Sequence, residues 1–279
     1  MKYLSSLTVW VIGSCLSLGV LAAEPLRTAV DGTFAPHAMP SLGGGLQGFN
    51  VDLGQALAKQ MGRDIQIDSA EFSGLMPGLN AGKYDFIIAP VTVTAERANN
   101  LLFSEGYLDS DYTFIQKKGA APITALDQLK GKTLAVNKGS NYESWAKQNA
   151  LTYGFTFAVY SSNADAIQAV LSGRADANVS GTTVAGWAAK QNPVLQTSYI
   201  IKSGLFWAIA FRKDDAAGRD RVNLALKCLK QNGTVVRLAE KWFGFKPEAE
   251  SAAAKIQPGF GVAGLPGYED KDVTLECGA

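Results

Sequence analysis

The sequence is poor in the residue types that build metal centres and nucleophilic catalytic sites. Its 279 residues include one histidine and three cysteines. Zinc sites draw closely spaced ligands from cysteine and histidine, whereas Cys228 and Cys277 stand far apart in the chain. A histidine-activated nucleophile has only His37 to draw on. The sequence therefore predicts no metal, no cofactor and no catalytic residues.

A surplus of charge is also missing. The chain has 26 lysines and arginines against 25 aspartates and glutamates, a formal net charge of +1. No run of basic residues is present, and binding to nucleic acid or to an anionic membrane surface depends on such runs. We therefore expect neither as a partner, and we expect a monomer.

One long apolar run is present, at the N-terminus. It extends from Tyr3 to Leu21 after Lys2 and precedes two alanines. This arrangement predicts a secretory signal peptide over residues 1–23. Two weaker alternatives stay open. A membrane anchor would have about the minimum length for a bilayer and would contain serines throughout. Lipoprotein processing at Cys15 would leave the apolar residues after it unexplained.

Signal cleavage leaves Cys228 and Cys277. In the oxidising environment of a secreted protein, two cysteines predict a disulfide. Closing the loop between them would stabilise the fold by about 4 kcal/mol on the chain-entropy model. A last helix, which we expect Thr234 to cap, precedes residues 251–279. These residues show no periodicity, so we predict a surface tail tied back by the disulfide.

Strand-like and helix-like segments alternate in the mature chain. Leu26–Val30 reads as a strand, residues 49–61 have apolar residues at helical spacing, and residues 64–68 read as a second strand. A helix capped by Ser73 precedes an apolar strand from Tyr84. This β-α-β-α-β order favours a mostly parallel sheet covered by helices.

The second half of the chain repeats this pattern. LNAGKYDFIIA and VLSGRADANVS both run from a helix end through glycine, a basic residue and aspartate into a strand. Gly82 and Gly173 suit a left-handed helix stop, and Asp85 and Asp176 suit hydrogen bonds to the turn backbone. The repeat predicts two similar α/β lobes.

The stretch YDFIIAPVTVTAER places hydroxyls and a guanidinium directly after a core strand. Pro90 cannot donate to a sheet, so we expect the strand to end there. Ligands bind at the carboxyl ends of strands in open parallel sheets, and Thr92 with Arg97 suits a carboxylate. The alternative is a surface ion pair of Arg97 with Glu96 or Glu105.

Four segments carry a resemblance to a known family. They are GFNVDLGQALAKQMG, FSGLMPGLNAGKYDFIIAPVTVTAER, LKGKTLAVNKGSNYESWAK and GTVVRLAEKWFG. From Leu26 to Gly244 the chain resembles the periplasmic polar amino-acid-binding proteins of ABC importers, solute-binding protein family 3. The resemblance implies a non-enzymatic periplasmic protein. It would bind a small carboxylate-bearing amino acid or derivative and deliver it to an ABC permease in the inner membrane.

The fold that the resemblance implies is α/β and periplasmic binding protein-like. Two similar α/β lobes would be joined by a two-strand hinge near YTFIQ and FWAIAF. The first lobe would comprise residues 24–113 and 209–250, the second residues 114–208, with residues 251–279 as the tail. The ligand would lie between the lobes and be buried when they close.

The resemblance also implies a set of ligand-binding residues. Arg97 would grip the ligand carboxylate, and backbone N–H groups in the turn at Gly139 would complete that site. Phe34 and Phe72 would sandwich the ligand, with Asp31 at its side-chain end. The positions that match ligand contacts of the family are Asp31, Phe34, Phe72, Ala89, Pro90, Thr92, Arg97, Ser140, Asn141, Tyr142 and Gly181.

Three positions depart from the family pattern. Gly181 stands where members that bind α-amino acids place an aspartate against the ligand ammonium, and a buried ammonium without a carboxylate is costly. We therefore predict a carboxylate ligand whose amine is unconventional or absent. Asn50 replaces an acidic residue and would cap the first helix. His37 replaces an aromatic residue, and we expect it to be structural at the cleft rim.

Two other functions stay open. Cyclohexadienyl and arogenate dehydratases resemble the same family, and that chemistry needs a general acid, for which Glu143 and Asp31 are the nearest candidates. A sensor protein that presents its loaded form to a membrane receptor would have the same sequence features. Prephenate turnover separates the first of these from binding.

Overall fold

The computed structural model describes residues 24–278. The signal-peptide prediction for residues 1–23 lies outside these residues. Within the described part of the chain, no helix is both long and apolar enough to cross a bilayer.

The described residues form strands and helices in alternation, as the sequence predicts. The strands are β1 (Leu26–Val30), β2 (Met39–Pro40), β3 (Leu46–Gln47), β4 (Ile65–Ser69), β5 (Ile87–Thr92), β6 (Leu101–Phe103), β7 (Leu108–Asp109), β8 (Tyr112–Lys117), β9 (Thr133–Asn137), β10 (Thr156–Tyr160), β11 (Ala177–Gly181), β12 (Leu195–Ile201) and β13 (Phe206–Arg212). The helices are α1 (Phe49–Gln60), α2 (Phe72–Asn80), α3 (Ala95–Asn100), α4 (Asn141–Tyr153), α5 (Asn163–Leu171), α6 (Thr182–Gln191), α7 (Ala216–Gln231) and α8 (Thr234–Phe243).

The first lobe is built around β5, β13 and β6, with β7 also paired to β13. β1 and β4 form a parallel pair beside this sheet. The hydroxyl of Thr28 joins the two, because it accepts from the N–H of Ile88 at 3.0 Å and donates to the carbonyl of Phe86 at 2.8 Å. A buried threonine thus links β1 to β5 where the regular sheet pairing is absent.

The second lobe is a five-stranded sheet in the order β10-β9-β11-β8-β12. β9 pairs in parallel with β10 and β11, while β8 is antiparallel to β11 and β12. The chain passes between the sheets after β7 and again before β13. Residues 206–208, which the sequence assigns to the second lobe, pair with first-lobe strands as part of β13. The prediction of two α/β lobes is confirmed.

The repeated glycine–aspartate turns occupy equivalent places in the two lobes. Gly82 and Gly173 have φ values of +75° and +78°, as predicted for helix stops. Asp85 accepts from the N–H of Arg27 at 2.8 Å, and Asp176 from the N–H of Thr133 at 2.7 Å. Each aspartate therefore holds the start of a neighbouring strand, β1 or β9, rather than the backbone of its own turn.

Two predicted helix caps are wrong. α2 begins at Phe72 with Glu71 at the cap position, so Ser73 lies inside the helix. Thr234 is the first residue of α8 and follows Gly233 at the cap position. α2 thus begins one residue before the predicted capping residue, and α8 begins at it.

Residues 245–278 form a strap over the first lobe, which makes more contacts with that lobe than the predicted disulfide alone. Phe260 is buried, and it pairs with Glu269 in an isolated bridge. The guanidinium of Arg219, which is fully buried, donates to the carbonyl of Gly267 at 2.7 Å. The disulfide between Cys228 and Cys277 is present. The strap therefore completes the surface of the lobe.

Candidate functional site

β5 carries the candidate site to the cleft between the lobes, and every residue of the strand is buried. The strand continues to Thr92, two residues beyond the end that Pro90 predicts. Thr92 and Val91 pair with Trp207 and Ala208 of β13, and the register then shifts. Pro90 lies in this irregular part of the pairing, where a missing N–H is tolerated.

Arg97 lies in the cleft and contacts both lobes. Its Nη1 donates to the carbonyl of Thr92 at 2.8 Å, and its Nη2 donates to the carbonyl of Gly139 in the second lobe at 3.0 Å. The guanidinium carbon lies 5.8 Å from the ring centre of Phe72. Burial lowers the pKa of Arg97 from its ordinary value. The side chain is half-buried, and the guanidinium forms no salt bridge among the described residues.

The alternative of an ion pair between Arg97 and Glu105 is wrong. Glu105 is fully buried behind the first sheet and pairs with Lys230 at 2.5 Å and with Lys227. Glu96 is exposed and forms no salt bridge with Arg97 in residues 24–278. The sequence could not show this, because the partner lysines are more than a hundred residues away from Glu105.

The turn before α4 faces Arg97. Gly139 has φ +72°, which a side chain would strain. Ser140 caps α4 by accepting from the N–H of Glu143 at 3.2 Å, and its hydroxyl donates to the carbonyl of Asn137 at 2.6 Å. The N–H of Gly139 donates to the carboxylate of Glu143 at 2.6 Å. The first-turn N–H groups of Asn141 and Tyr142 are therefore the donors that α4 offers an anion.

Two tyrosines form the wall beside this turn. The rings of Tyr112 and Tyr142 meet edge to face with centres 5.2 Å apart. The side-chain amide of Asn141 donates to the hydroxyl of Tyr112. Burial raises the pKa of both phenols above the ordinary value, so both are neutral donors at physiological pH. Tyr112 belongs to the predicted crossing strand, but its place in the site was not predicted.

Asp31 supplies a buried carboxylate at the first-lobe wall. One oxygen accepts from the N–H and the hydroxyl of Thr33, at 2.9 Å and 2.6 Å. The other oxygen, Oδ2, is buried and has no hydrogen-bond partner among the described residues. A buried carboxylate oxygen without a donor is costly, so this atom is suited to a ligand donor.

His37 is more deeply buried than a rim residue and bonds across the cleft. Its Nδ1 lies 2.8 Å from the amide oxygen of Asn50, which can only accept, so Nδ1 carries the proton. Its Nε2 then accepts from the hydroxyl of Thr183 in the second lobe at 2.7 Å. Burial lowers the pKa of His37 to about 4. The imidazole is therefore neutral.

Asn50 does not cap α1, since Gly48 holds the cap position. Its amide nitrogen donates to the carbonyl of Ile88 at 2.5 Å and to the hydroxyl of Tyr107 at 2.7 Å. Asn50 thus fixes both the start of β5 and the tautomer of His37, a role that only the tertiary structure shows.

Trp207 contacts the candidate site but is not among the residues predicted from the sequence. Its indole N–H donates to the hydroxyl of Thr92 at 3.2 Å, and it lies edge-on to His37 and Phe34 at centre distances of 4.9 and 6.4 Å. A Cβ on Gly181 would come within 2.5 Å of the indole ring. Trp207 is the second residue of β13, close to the predicted hinge, and this position was the one sequence feature that could have pointed to it.

Several of the predicted residues contact one another or the opposite lobe. Arg97 and Phe72 contact each other and face the α4 turn, while Phe34 packs with His37 and Trp207. Ala89 is fully buried within β5. The contacts of the two phenylalanines differ, so the predicted sandwich of the ligand stays a prediction.

Residues 26–245 match the family described as bacterial extracellular solute-binding proteins, family 3. The chain belongs to this family. The L-arginine-binding protein of Pseudomonas aeruginosa is 31% identical to this family-3 protein over 243 residues, which cover 83% of this chain and 93% of that protein. The family resemblance and the periplasmic-binding-protein fold are therefore confirmed.

Two solved structures are similar to this family-3 protein. An ancestral arginine-binding protein bound to glutamine has a TM-score of 0.75 and 35% identity, covering 79% of this chain and 98% of that one. An ancestral amino acid-binding protein, a precursor of cyclohexadienyl dehydratase, has a TM-score of 0.71 and 32% identity, covering 78% and 95%. These relatives are binding proteins rather than enzymes. The strap beyond residue 245 lies outside the matched segment.

Proposed function

We propose that this protein captures a small carboxylate-bearing solute between its lobes and delivers it to an ABC permease in the inner membrane. The observation that carries the proposal is the position of Arg97. Its side chain is half-buried, forms no salt bridge among the described residues and hydrogen-bonds to a backbone carbonyl in each lobe. A carboxylate that replaces these carbonyls gains two charge-assisted hydrogen bonds.

The donors of the second lobe support an anion at the same place. The first-turn N–H groups of α4 point from a helix N-terminus, where the helix dipole favours negative charge. They belong to Asn141 and Tyr142, beside the neutral phenol of Tyr112. Closure of the lobes around a carboxylate would therefore satisfy donors from both sides at once.

Asp31 supports a positive or donor group at the other end of the solute. Its Oδ2 is buried and lacks a partner in the described chain. The relative from Pseudomonas aeruginosa is named for L-arginine, whose side chain is cationic, and we propose that the ligand of this protein likewise carries a distal cation. The site then has one positive and one negative wall, matched by a solute with one charge of each sign.

Isothermal titration against a panel of carboxylates tests the proposal. We expect Arg97→Ala to weaken binding of the best ligand by about 10-fold to 100-fold, the usual value of charge-assisted hydrogen bonds. Arg27→Ala is the matched control, because Arg27 pairs with Asp85 at the exposed surface. Binding that is equal in the Arg97→Ala variant and the parent would remove the basis of the proposal.

We further propose that the protein has no dehydratase activity. Of the two candidate general acids, Glu143 is held by Gly139 and by Lys147 at 2.6 Å, so it is an ion-paired carboxylate. One oxygen of Asp31 is engaged by the N–H and the hydroxyl of Thr33. Glu143, as an ion-paired carboxylate, is not a proton donor. Turnover of prephenate by the purified protein would contradict this.

A further inference from the structure

The place expected to hold an ammonium partner is filled by an indole ring. A Cβ on Gly181 would lie 2.5 Å and 2.7 Å from two ring carbons of Trp207, and 3.0 Å from the hydroxyl oxygen of Tyr142. Real Cβ atoms do not approach other atoms so closely, and Trp207 is only 1% exposed, so it cannot move aside without disrupting the core. No side chain, acidic or neutral, can occupy position 181 beside this tryptophan.

The same indole also uses the hydroxyl that would accept from an ammonium. Thr92 Oγ1 receives the indole N–H at 3.2 Å and lies 3.0 Å from the hydroxyl oxygen of Ser110. A hydroxyl has two acceptor lone pairs and one proton. The two neighbours use two of these three positions, so at most one position of the Thr92 hydroxyl is left for a ligand.

The charges of the site lie at two separate parts of the cleft. Arg97 faces Gly139 and the start of α4. The loop that holds Asp31 faces α5 and α6, because Thr33 lines a cavity of about 290 Å³ together with Asn163 and Trp187. The loop of Asp31 and the guanidinium of Arg97 therefore face different elements of the second lobe.

From these contacts we propose that Trp207, with Gly181, selects solutes that carry no ammonium on the carbon next to the carboxylate. The ligand class is a carboxylate with a distal ammonium or guanidinium and an uncharged carbon between. This inference rests on the proposed function and names the ligand class of the same site. An α-ammonium would enter the space beside Trp207 and lose its hydration without a counter-charge.

Matched compound pairs test the inference directly. L-arginine and 5-guanidinopentanoate differ only in the α-ammonium, as do L-lysine and 6-aminohexanoate. By isothermal titration we expect the parent protein to bind the compound without the α-ammonium at least 10-fold more tightly in one or both pairs, equal to about 1.4 kcal/mol. Equal or tighter binding of the α-amino acid in both pairs overturns the inference.

A designed variant gives the reverse test. In Trp207→Ala with Gly181→Asp, the ring is removed and a carboxylate enters its space, so the preference should shift by at least 10-fold toward the α-amino acid. Trp242→Phe is the matched control, because Trp242 bonds to Asp52 on the outer side of α1 and should leave the preference unchanged. Melting curves show whether each variant is folded. The comparison of the compound pairs uses the parent protein and does not depend on any variant.

The two proposals fail in different ways. If neither compound of either pair binds while another carboxylate does so through Arg97, the ligand class is wrong and the proposed function stands. If no carboxylate binds, the proposed function itself falls. If the double variant is folded and has the same ligand preference as the parent, the role assigned to Trp207 is wrong.

Discussion

The Nε2 atom of His37 lies 2.7 Å from the hydroxyl oxygen of Thr183, and this hydrogen bond joins the first lobe to the second. His37 is held in place by Asn50 and packs edge-on against Trp207. The bond therefore links closure of the lobes to the residues that surround the candidate site. It can form only while the lobes are together.

Thr183→Val should loosen the closed form. The substitution keeps the side-chain shape and removes a hydrogen bond with a net value of about 0.5–1.5 kcal/mol. We expect ligand dissociation to be about 2-fold to 10-fold faster in stopped-flow measurements. Thr156→Val is the control, because Thr156 bonds within the second lobe. Identical dissociation rates for Thr183→Val and the parent would show that the bond does not hold the lobes closed.

The buried imidazole also predicts a pH dependence of stability. Burial lowers the pKa of His37 from 6.5 to about 4, so the unfolded chain takes up the proton first. The contribution of neutral His37 to the free energy of unfolding is therefore fully present above pH 6.5. It is lost as the pH falls from 6.5 to about 4. The loss is at most about 3 kcal/mol of unfolding free energy.

Urea unfolding at several pH values measures this loss. We expect His37→Gln to be less stable than the parent at pH 7 but to show a flatter decline between pH 6.5 and pH 4. Other titrating groups are common to both proteins, so the difference in slope reports His37. Parallel pH profiles would contradict the assignment of the low pKa to this residue.

The buried charges under the strap predict a strong effect at Glu105. This carboxylate pairs with Lys230 at 2.5 Å and with Lys227, and all three side chains are buried. The remaining lysine donors reach carbonyls, including that of Lys255 in the strap at 3.0 Å. Burial lowers the pKa of Lys230.

Glu105→Gln should therefore destabilise the protein by about 3–5 kcal/mol, because it leaves two buried cations without a counter-charge. Chemical denaturation measures the change. Glu250→Gln is the control, since Glu250 pairs with Lys255 at the surface, and we expect it to change stability by less than about 1 kcal/mol. A small effect at Glu105 would mean that the lysines are satisfied by carbonyls alone.

The disulfide gives a prediction for the strap as a whole. Cys277→Ser should lower the unfolding free energy by about 2–4 kcal/mol, because the C-terminus is no longer tied to α7. Differential scanning calorimetry with and without reductant measures it. Reductant should shift the parent and leave Cys277→Ser unchanged. An equal shift in both would locate the effect of the reductant elsewhere.

Local patterns were sufficient for much of the fold. Alternating apolar segments predicted the strands and helices of both lobes, and the repeated glycine–aspartate turn correctly indicated two similar units. The cysteine pair correctly predicted the disulfide. Cap positions were less reliable, as Ser73 and Thr234 show, because a hydroxyl near a helix start is compatible with several starting residues.

Contacts between distant residues were beyond local patterns. The partners of Glu105 lie on α7, and the partners of His37 lie on α1 and α6. The last residues were predicted to be a surface tail held by the disulfide, because they lack periodicity. Backbone carbonyls of the strap accept hydrogen bonds from the buried side chains of Arg219 and Lys230. Such bonds leave no periodic pattern in the sequence.

The sequence by itself determined the two-lobed α/β architecture and the family, because periodicity, glycine stops and ordered motifs are patterns among residues that are close together in the chain. It also showed that position 181 lacks an acid. Only the tertiary structure decided why: the indole of Trp207, 26 residues later on another strand, occupies that space and engages Thr92. Position 181 and Trp207 are distant in the chain but adjacent in space. The lack of room for a side chain at position 181 is therefore seen only in the folded structure.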